Sequence, residues 1–394
     1  MQVRGFVAGA VAANIRKADR LDLGLIVSQE PAFTVGVFTT NRVKAAPVLL
    51  DMERLRGGRA RAILVNSGIA NACTGEQGMR AAEATAALAA IALGVSPASV
   101  LVASTGVIGQ QLDPARFERA MPGLVSALSP HGLDEVSRAI MTTDTRPKTC
   151  ARTIEVGGRE VRLFGMAKGA GMIMPNMATM LAFVCTDAQI VYPELLRLVR
   201  EGVEHSFNRI SVDGDSSTND TVLVMANGAA GNPWIDEHNP EGCALFREAL
   251  HEIFHELALQ IVADGEGATK LVTIRVQGAR SPEEAESAAR TIANSPLVKT
   301  AFFGQDANWG RIIAALGRSG CRFDPERVDI FFDEIRLVEN GLGLGAAVEA
   351  AATEVLRRDR FRVMLDLKEG GESAEIYTCD FSIDYVKINA DYRS

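Results

Sequence analysis

The chain has 394 residues, of which 47% are hydrophobic and 23% are charged. This balance is typical of soluble globular proteins and excludes a disordered or fibrous chain. The net charge is −8, from 41 basic and 49 acidic residues, and there is no basic block of the kind that grips nucleic-acid phosphates. No apolar run approaches the roughly 18 residues that span a bilayer. Small-molecule chemistry is therefore expected.

The first third of the sequence alternates apolar strands with a helix. Residues 1–13 resemble a signal peptide superficially, but they are few and rich in Gly and Ala, so a first strand and a cytoplasmic protein are expected. Strands are predicted over 61–68 and 99–106, and an Ala-rich helix over 79–93. Gly94 follows that helix, where a left-handed residue is wanted. The pattern is that of an α/β protein.

The middle third opens with a hairpin and ends in helices. Gly157 and Gly158 form a two-residue turn signal. After a glycine-punctuated loop, the apolar run 180–186 predicts a strand. Helices are expected over 193–207 and 240–263.

The last third reads strand, helix and further strands. A strand is predicted over 271–278, and Ser281 is the expected cap of the next helix. Later strands are expected near 328–338, 361–367 and 375–386, where apolar and polar residues alternate. Such alternation favours antiparallel sheets with one solvated face. The predicted fold class is mixed α/β, α+β-like, with helices layered on mainly antiparallel sheets.

The cysteines are scattered and include no CxxC pair. They are Cys73, Cys150, Cys185, Cys243, Cys321 and Cys379. This spacing predicts reduced thiols and no disulfide framework.

A zinc site is one alternative that the sequence offers. His251 and His255 match the HExxH template and share the polar edge of a predicted helix. The nearest third ligand, Glu266, follows just after the helix end at Gly265, whereas sites of this type take it from a separate element. A solvated helix flank is favoured, and a zinc-dependent hydrolase using His251 and His255 is the alternative function.

A nucleotide site is a second alternative. Residues 341–346 read GLGLGA, a GxGxxA run between a predicted strand and a helix, with Asp366 about twenty residues further on. The flanking strands carry charges at alternate positions, whereas a Rossmann sheet is buried on both faces. A turn that opens a helix is the favoured interpretation.

The segment 168–181 (KGAGMIMPNMATML) suggests a self-cleaving threonine. The carbonyl of Ala178 lies beside a small side chain, so the hydroxyl of Thr179 could attack it. An N-to-O acyl shift and hydrolysis would then split the chain and expose an α-amine. That amine titrates near ~8 and can serve as the base that a threonine otherwise lacks. Spacing alone favours a structural role, in which Thr179 packs at the start of a buried strand.

Six stretches together resemble the ornithine acetyltransferase and glutamate N-acetyltransferase family of arginine biosynthesis. They are STGVIG (104–109), AIMTTDTRPK (139–148), KGAGMIMPNMATML (168–181), DGDSSTNDT (213–221), ADGEGATK (263–270) and INADYRS (388–394). They run from the first third of the chain to its last residue.

The resemblance implies an N-terminal-nucleophile-like enzyme with its own topology. It implies cleavage between Ala178 and Thr179 into an α chain (1–178) and a β chain (179–394), assembled as α2β2. The implied reaction moves the acetyl group of N-acetylornithine to glutamate in a ping-pong cycle. No resident cofactor, metal, nucleic acid or membrane partner is implied, and the use of acetyl-CoA as a second donor stays open.

The same resemblance assigns roles to individual residues. Thr179 is the implied nucleophile, and Thr105 and Gly106 match the pair that stabilises the oxyanion. The implied substrate-binding residues are Thr142, Lys168, Thr179, Glu266, Asn389 and Ser394. A cation and an anion suit a substrate that carries both a carboxylate and an ammonium. Which of Thr142, Thr143 and Thr145 contacts substrate stays open.

Overall fold

The structure is a computed structural model that describes residues 1–174 and 180–391, and the chain divides into two units. Unit 1 is formed by Met1–Asn208 and Asp215–Ile261. Unit 2 is formed by Arg209–Gly214 and Val262–Tyr392. Unit 1 takes residues from both sides of the predicted cleavage position, so the units do not coincide with the predicted α and β chains.

Both units contain strands and helices. The strands are β1 (Phe6–Val11), β2 (Leu23–Phe38), β3 (Arg59–Asn66), β4 (Val100–Ser104), β5 (Lys148–Val156), β6 (Arg159–Lys168), β7 (Leu181–Thr186), β8 (Ile210–Ser211), β9 (Thr221–Ala226), β10 (Leu271–Ala279), β11 (Asp329–Phe332), β12 (Ile335–Glu339), β13 (Leu342–Gly343), β14 (Arg360–Asp366) and β15 (Glu372–Cys379). The helices are α1 (Ala46–Arg54), α2 (Gly75–Leu93), α3 (Pro114–Ser126), α4 (Leu133–Ala139), α5 (Tyr192–Glu204), α6 (Pro240–Ala263), α7 (Pro282–Ala293), α8 (Pro296–Phe303), α9 (Trp309–Gly317), α10 (Ala346–Leu356) and α11 (Ile383–Asp391).

Unit 1 is built on a sheet with the strand order β4-β3-β2-β9-β7-β6-β5, and β1 also pairs with β2. The pairs β3–β4 and β7–β9 are parallel, and the other pairs are antiparallel. Every residue of β4, at one edge of the sheet, and of the interior strands β7 and β9 is buried, as expected for strands covered on both faces. Their ends are therefore shielded from bulk water.

The strand register of unit 1 sets three strand ends side by side. Lys168, the last residue of β6, pairs with Leu181, the first residue of β7. Leu181 also pairs with Thr221, the first residue of β9. A buried lysine therefore lies beside the entry to β7.

Unit 2 is built on a second sheet, with the order β13-β12-β11-β14-β10-β15-β8. The pairs β10–β14 and β8–β15 are parallel, and the others are antiparallel. Buried side chains of α7, such as Ala288 and Ile292, pack with Val272 and Ile274 of β10 in one hydrophobic core. The two sheets confirm the predicted fold class of helices on mainly antiparallel sheets.

Several local predictions are confirmed. Gly94 ends α2 with a φ of 66°. Gly157 and Gly158 both have positive φ and connect β5 to β6. Ser281 caps α7, because its hydroxyl oxygen accepts the amide of Glu284 at 3.2 Å. All six cysteines are free and four are buried.

The predicted strand over 375–386 is wrong in its second half. Strand β15 ends at Cys379, and α11 follows. The Asp380 carboxylate accepts the backbone amides of Thr269 and Lys270 at 2.8 and 2.9 Å, which replaces further strand pairing. The Ser382 hydroxyl then accepts the amide of Asp384 at 3.2 Å and opens the helix.

Among the helices of residues 1–174 and 180–391, none has both the length and the apolar character that a bilayer span requires.

Candidate active site

The loop after β4 carries the predicted oxyanion residues. Thr105 donates its amide to the Asn66 carbonyl oxygen at 3.0 Å, and Val107 donates to that of Gly68 at 3.1 Å. Between them Gly106 has a φ of 131°. A Cβ at this position would lie 2.3 Å from the carbonyl carbon of Gly68. Only glycine therefore fits where the loops after β3 and β4 touch.

A buried lysine contacts this loop. Lys168 Nζ donates a hydrogen bond to Thr105 Oγ1 at 3.3 Å, and both residues are buried. An ammonium group has three donors and no acceptor, so Thr105 must act as the acceptor in this bond. The hydroxyl proton of Thr105 is left for a second hydrogen bond. This is the arrangement that a donor to an oxyanion requires.

The buried Asp144 carboxylate binds the backbone next to Lys168 and that of Thr142. Its Oδ1 accepts Lys148 Nζ and the amide of Gly169, each at 2.7 Å, and its Oδ2 accepts the amide of Thr142 at 2.9 Å. Burial disfavours the ionised carboxylate, but the charges of Lys168 and Lys148 outweigh burial and hold the pKa of Asp144 below its ordinary value. The carboxylate therefore stays ionised and fixes the backbone of Thr142, a predicted site residue, and of Gly169, which follows Lys168.

Sequence reasoning missed Asp144, although its motif offered a signal. Asp144 and Lys148 stand four residues apart, and their side chains form an ion pair with both partners fully buried. Of the three threonines left open in this motif, Thr142 and Thr143 are half-buried and Thr145 is exposed. The contact of Thr142 with Asp144 is made by its backbone, so the substrate-contacting threonine stays a prediction.

Asn219 is a second residue that sequence reasoning missed. Its Nδ2 donates to the carbonyl oxygens of Ser104 at 2.8 Å and of Ala70 at 2.6 Å. Its Oδ1 accepts the hydroxyl of Thr218 at 2.6 Å. Because Ser104 directly precedes Thr105, Asn219 holds the start of the oxyanion loop. Asn219 lies in the motif DGDSSTNDT, but nothing in the spacing of that motif singles out the asparagine.

Unit 2 carries the other described site residues. Glu266 is buried and follows α6, and Asn389 lies on α11. Asn389 Nδ2 donates to Glu266 Oε2 at 2.8 Å and to the carbonyl oxygen of Tyr385 at 3.0 Å. The structure therefore brings together two predicted substrate-binding residues that are separated by 123 positions.

Three predicted positions lie outside the described residues. They are Ala178 and Thr179 at the predicted cleavage point, and Ser394 at the C-terminus.

The zinc-hydrolase alternative is not supported. The ring Nε2 of His251 lies 3.3 Å from the carbonyl oxygen of Leu198, and burial lowers the pKa of His251. Glu252, the would-be catalytic base of the template, forms an ion pair with Arg152 at 2.5 Å. Within residues 1–174 and 180–391, no cluster of three or more His, Cys, Asp or Glu side chains could hold a metal.

The glycine run at 341–346 forms a turn and a helix start. Strands β12 and β13 pair antiparallel across Asn340 and Gly341, which both have positive φ, as in a tight hairpin turn. Gly345 then precedes α10. A dinucleotide site places its glycines in the turn from a strand to the helix of a parallel βαβ unit, so this antiparallel hairpin favours the turn interpretation.

Comparisons with known proteins agree with the six motifs. The ArgJ family matches residues 7–394. Proteins named arginine biosynthesis bifunctional protein ArgJ from Desulfotalea psychrophila and Geobacter sulfurreducens are each 56% identical over 394 residues, which is 100% of this chain and of theirs. A crystal structure of the ArgJ protein from Bacillus halodurans matches with a TM-score of 0.51 and 42% identity, over 53% of this chain and 98% of that chain. With a match that extends from the first strand to the last residue, the chain belongs to the ArgJ family.

Proposed function

We propose that this chain moves the acetyl group of N-acetylornithine to glutamate through an acetyl ester on Thr179. As a member of the ArgJ family, it is an acetyltransferase of arginine biosynthesis. The observation that carries the residue-level proposal is the buried Lys168–Thr105 hydrogen bond beside the entry to β7. It sets an oriented hydroxyl donor next to the strand that follows the proposed nucleophile.

The proposed nucleophile is made by self-cleavage. The Thr179 hydroxyl adds to the Ala178 carbonyl, the peptide nitrogen leaves, and an ester joins the two residues. Water then hydrolyses the ester, which leaves a carboxylate on Ala178 and a free α-amine on Thr179. That amine takes the hydroxyl proton when Thr179 next attacks a carbonyl.

The proposed transfer runs in two halves. Thr179 attacks the acetamide carbonyl of N-acetylornithine, and ornithine leaves with a proton on its nitrogen. The amine of glutamate then attacks the ester, takes the acetyl group and restores the hydroxyl. In both halves the amide of Gly106 and the hydroxyl of Thr105 stabilise the oxyanion, and one such donor is worth about 3 kcal/mol.

The substrate-binding residues that the resemblance implies include a cation and an anion, which suit the carboxylate and the ammonium of N-acetylornithine. In unit 1, Lys168 offers a cation for a carboxylate, and the proposed contacts of Thr142 lie in the same cluster. In unit 2, Glu266 offers a buried carboxylate for an ammonium, beside Asn389. The family resemblance adds Ser394 to the proposed substrate contacts.

Assembly and compartment are further parts of the proposal. The resemblance supports two α and two β chains, so the particle would have twice the mass of the 42.1 kDa chain. The scattered thiols favour a reducing compartment, and we place the enzyme in the cytoplasm. It would need no resident cofactor.

The nucleophile is tested by substitution. Purified protein should give chains of 178 and 216 residues by mass spectrometry, the second beginning at Thr179. Thr179→Ala should abolish both cleavage and transfer, whereas Thr179→Ser should keep a slower form of both. Thr353→Ala, at a threonine on α10, is the control that should behave as wild type. Transfer by uncleaved Thr179→Ala would exclude Thr179 as the nucleophile.

A second acetyl donor is tested separately. The relatives are named bifunctional, and we propose that acetyl-CoA can also acetylate glutamate here. Incubation with glutamate and acetyl-CoA, without N-acetylornithine, should then form N-acetylglutamate. Formation of N-acetylglutamate from N-acetylornithine but not from acetyl-CoA would show that the enzyme does not use acetyl-CoA as a donor.

A further inference from the structure

Asp220 is a buried carboxyl that the proposed chemistry does not use. It directly precedes β9, and only 1% of its surface is exposed. Its Oδ1 accepts the amide of Met180 at 2.9 Å. Met180 follows Thr179 in the sequence, so this hydrogen bond is made one residue after the proposed nucleophile.

The backbone of Met180 is held from both sides by the same segment. Its amide donates to the Asp220 side chain, and its carbonyl oxygen accepts the amide of Thr221 at 3.1 Å. Asp220 is itself fixed, because its carbonyl oxygen accepts the amide of Thr39 at 3.0 Å. The position of Met180 therefore depends on Asp220 before regular pairing of β7 and β9 begins.

The second carboxyl oxygen has no hydrogen-bond partner among the described residues. Asp220 Oδ2 is fully buried, and the nearby Thr39 hydroxyl donates to the Ser217 carbonyl oxygen at 2.8 Å. Leaving such an atom unpaired costs about 1–3 kcal/mol. Burial raises the pKa of Asp220 well above its ordinary value, although the Met180 amide and the Lys168 charge oppose the shift. Of the two carboxyl oxygens, Oδ1 therefore carries the contact with the Met180 backbone.

We propose that Asp220 is the positioning residue of the nucleophile, and that it acts by fixing the backbone of Met180 through Oδ1. The inference rests on the proposed function, because only a reacting Thr179 makes the position of Met180 matter for rate. The role needs an acceptor at one place and needs no negative charge. The position of the acceptor atom should therefore affect the rate, whereas the ability of the side chain to ionise should not.

Two substitutions test geometry against acidity. Asp220→Asn keeps an acceptor at the same distance and removes the acid, whereas Asp220→Glu keeps the acid and displaces the acceptor by one methylene. Asp220→Asn should keep kcat within about threefold of wild type. Asp220→Glu should lower kcat and the rate of self-cleavage by about tenfold to a hundredfold, since small misplacements of reacting groups have effects of this size. The KM for N-acetylornithine should change little.

Asp51 provides matched controls. It is also buried, its Oδ1 accepts the amide of Val102 at 2.9 Å, and its Oδ2 is unpaired among the described residues. Burial raises its pKa in the same way. Asp51→Asn and Asp51→Glu should disturb packing to a similar extent without slowing cleavage or transfer per folded molecule.

Hydrogen exchange gives a readout that does not depend on activity. Peptides that begin near Met180 should exchange faster in Asp220→Glu than in wild type, and should be unchanged in Asp220→Asn. Wild-type kcat in Asp220→Glu, or equal losses in both variants, would overturn the positioning role. If wild-type protein itself neither cleaves nor transfers, the proposed function fails instead, and the two failures are distinguishable.

Discussion

Lys168 Nζ donates a hydrogen bond to Thr105 Oγ1 at 3.3 Å, across 63 positions of sequence. The bond joins the end of β6 to the loop after β4. Its direction is fixed, because an ammonium cannot accept. Lys168 therefore does more than supply charge, since it sets which way the Thr105 hydroxyl can donate.

The first prediction concerns this pair. Lys168→Met should lower kcat by about tenfold to a hundredfold, because the Thr105 hydroxyl loses the partner that orients it toward the oxyanion. Steady-state kinetics of acetyl transfer measures the effect. The double variant with Thr105→Ala should be hardly slower than the slower single variant, as expected for two residues that act as one unit. Fully additive losses would show that Lys168 and Thr105 act independently.

The second prediction compares two glycines of one loop. Gly106→Ala places a Cβ 2.3 Å from the Gly68 backbone at a φ of 131°, so the oxyanion loop must move. Gly109 also has a positive φ, of 81°, but an added Cβ there meets no atom within 4 Å. We expect Gly109→Ala to cost only about 1–2 kcal/mol of stability with kcat preserved, and Gly106→Ala to lose most activity. Thermal melts and kinetics on both variants decide, and equal kcat values would contradict the close-approach argument.

The fold was largely predictable from local signals. The stop of α2 at Gly94 and the cap of α7 at Ser281 follow from residue types with one dominant backbone role. The end of β15 was not predictable in this way, because the alternation of apolar and polar residues continues past Cys379. The change from strand to helix depends on the Asp380 carboxylate, which binds backbone amides more than a hundred residues earlier in the chain.

The site also contains residues that the sequence indicates and residues that only the structure shows. The family resemblance implies Lys168, but its hydrogen bond to Thr105 depends on how the strands pair. Asn219 and Asp220 were invisible in the sequence because each acts on distant backbone, at Ser104 and at Met180. Contacts between a side chain and a distant main chain leave no spacing pattern.

The third prediction concerns Asn219. Asn219→Ala leaves the carbonyl oxygens of Ser104 and Ala70 without the bonds from Nδ2, and a buried group left unpaired costs about 1–3 kcal/mol. The melting temperature should fall, and kcat should fall further than the loss of folded protein explains. Asn232→Ala is the control, since its amide also donates to backbone carbonyls of unit 1, at Gln189 and Pro233. A kcat unchanged per folded molecule would show that Asn219 is purely structural.

The fourth prediction is a pH dependence of stability. The folded-state pKa of Asp144 lies below its ordinary value of 3.8, so its contribution is present above that pH and is lost as the pH falls below it. Asp144→Asn should destabilise the protein at pH 7 by about 3–5 kcal/mol, because Lys148 is left buried without its counter-charge. The difference from wild type should shrink in acid. The folded-state pKa of Asp220 is raised instead, so the contribution of this carboxyl to stability decreases as the pH rises. Asp220→Asn should therefore be at least as stable as wild type at pH 7. Denaturant unfolding at several pH values measures both, and a pH-independent loss in Asp144→Asn would contradict the charge argument.

The last prediction separates binding from self-cleavage through Glu266. Glu266→Gln keeps an oxygen that can accept from Asn389 Nδ2 but removes the negative charge proposed to face the substrate ammonium. We expect cleavage to proceed as in wild type, because it needs no substrate, and the KM for N-acetylornithine to rise by about tenfold or more, since one charge-assisted hydrogen bond contributes about 1.5–3 kcal/mol. Glu375→Gln is the matched control, because the Glu375 carboxylate pairs with Arg275 at 3.1 Å on the sheet of unit 2. An unchanged KM in Glu266→Gln would remove Glu266 from the substrate site, and a loss of cleavage would assign it to processing instead.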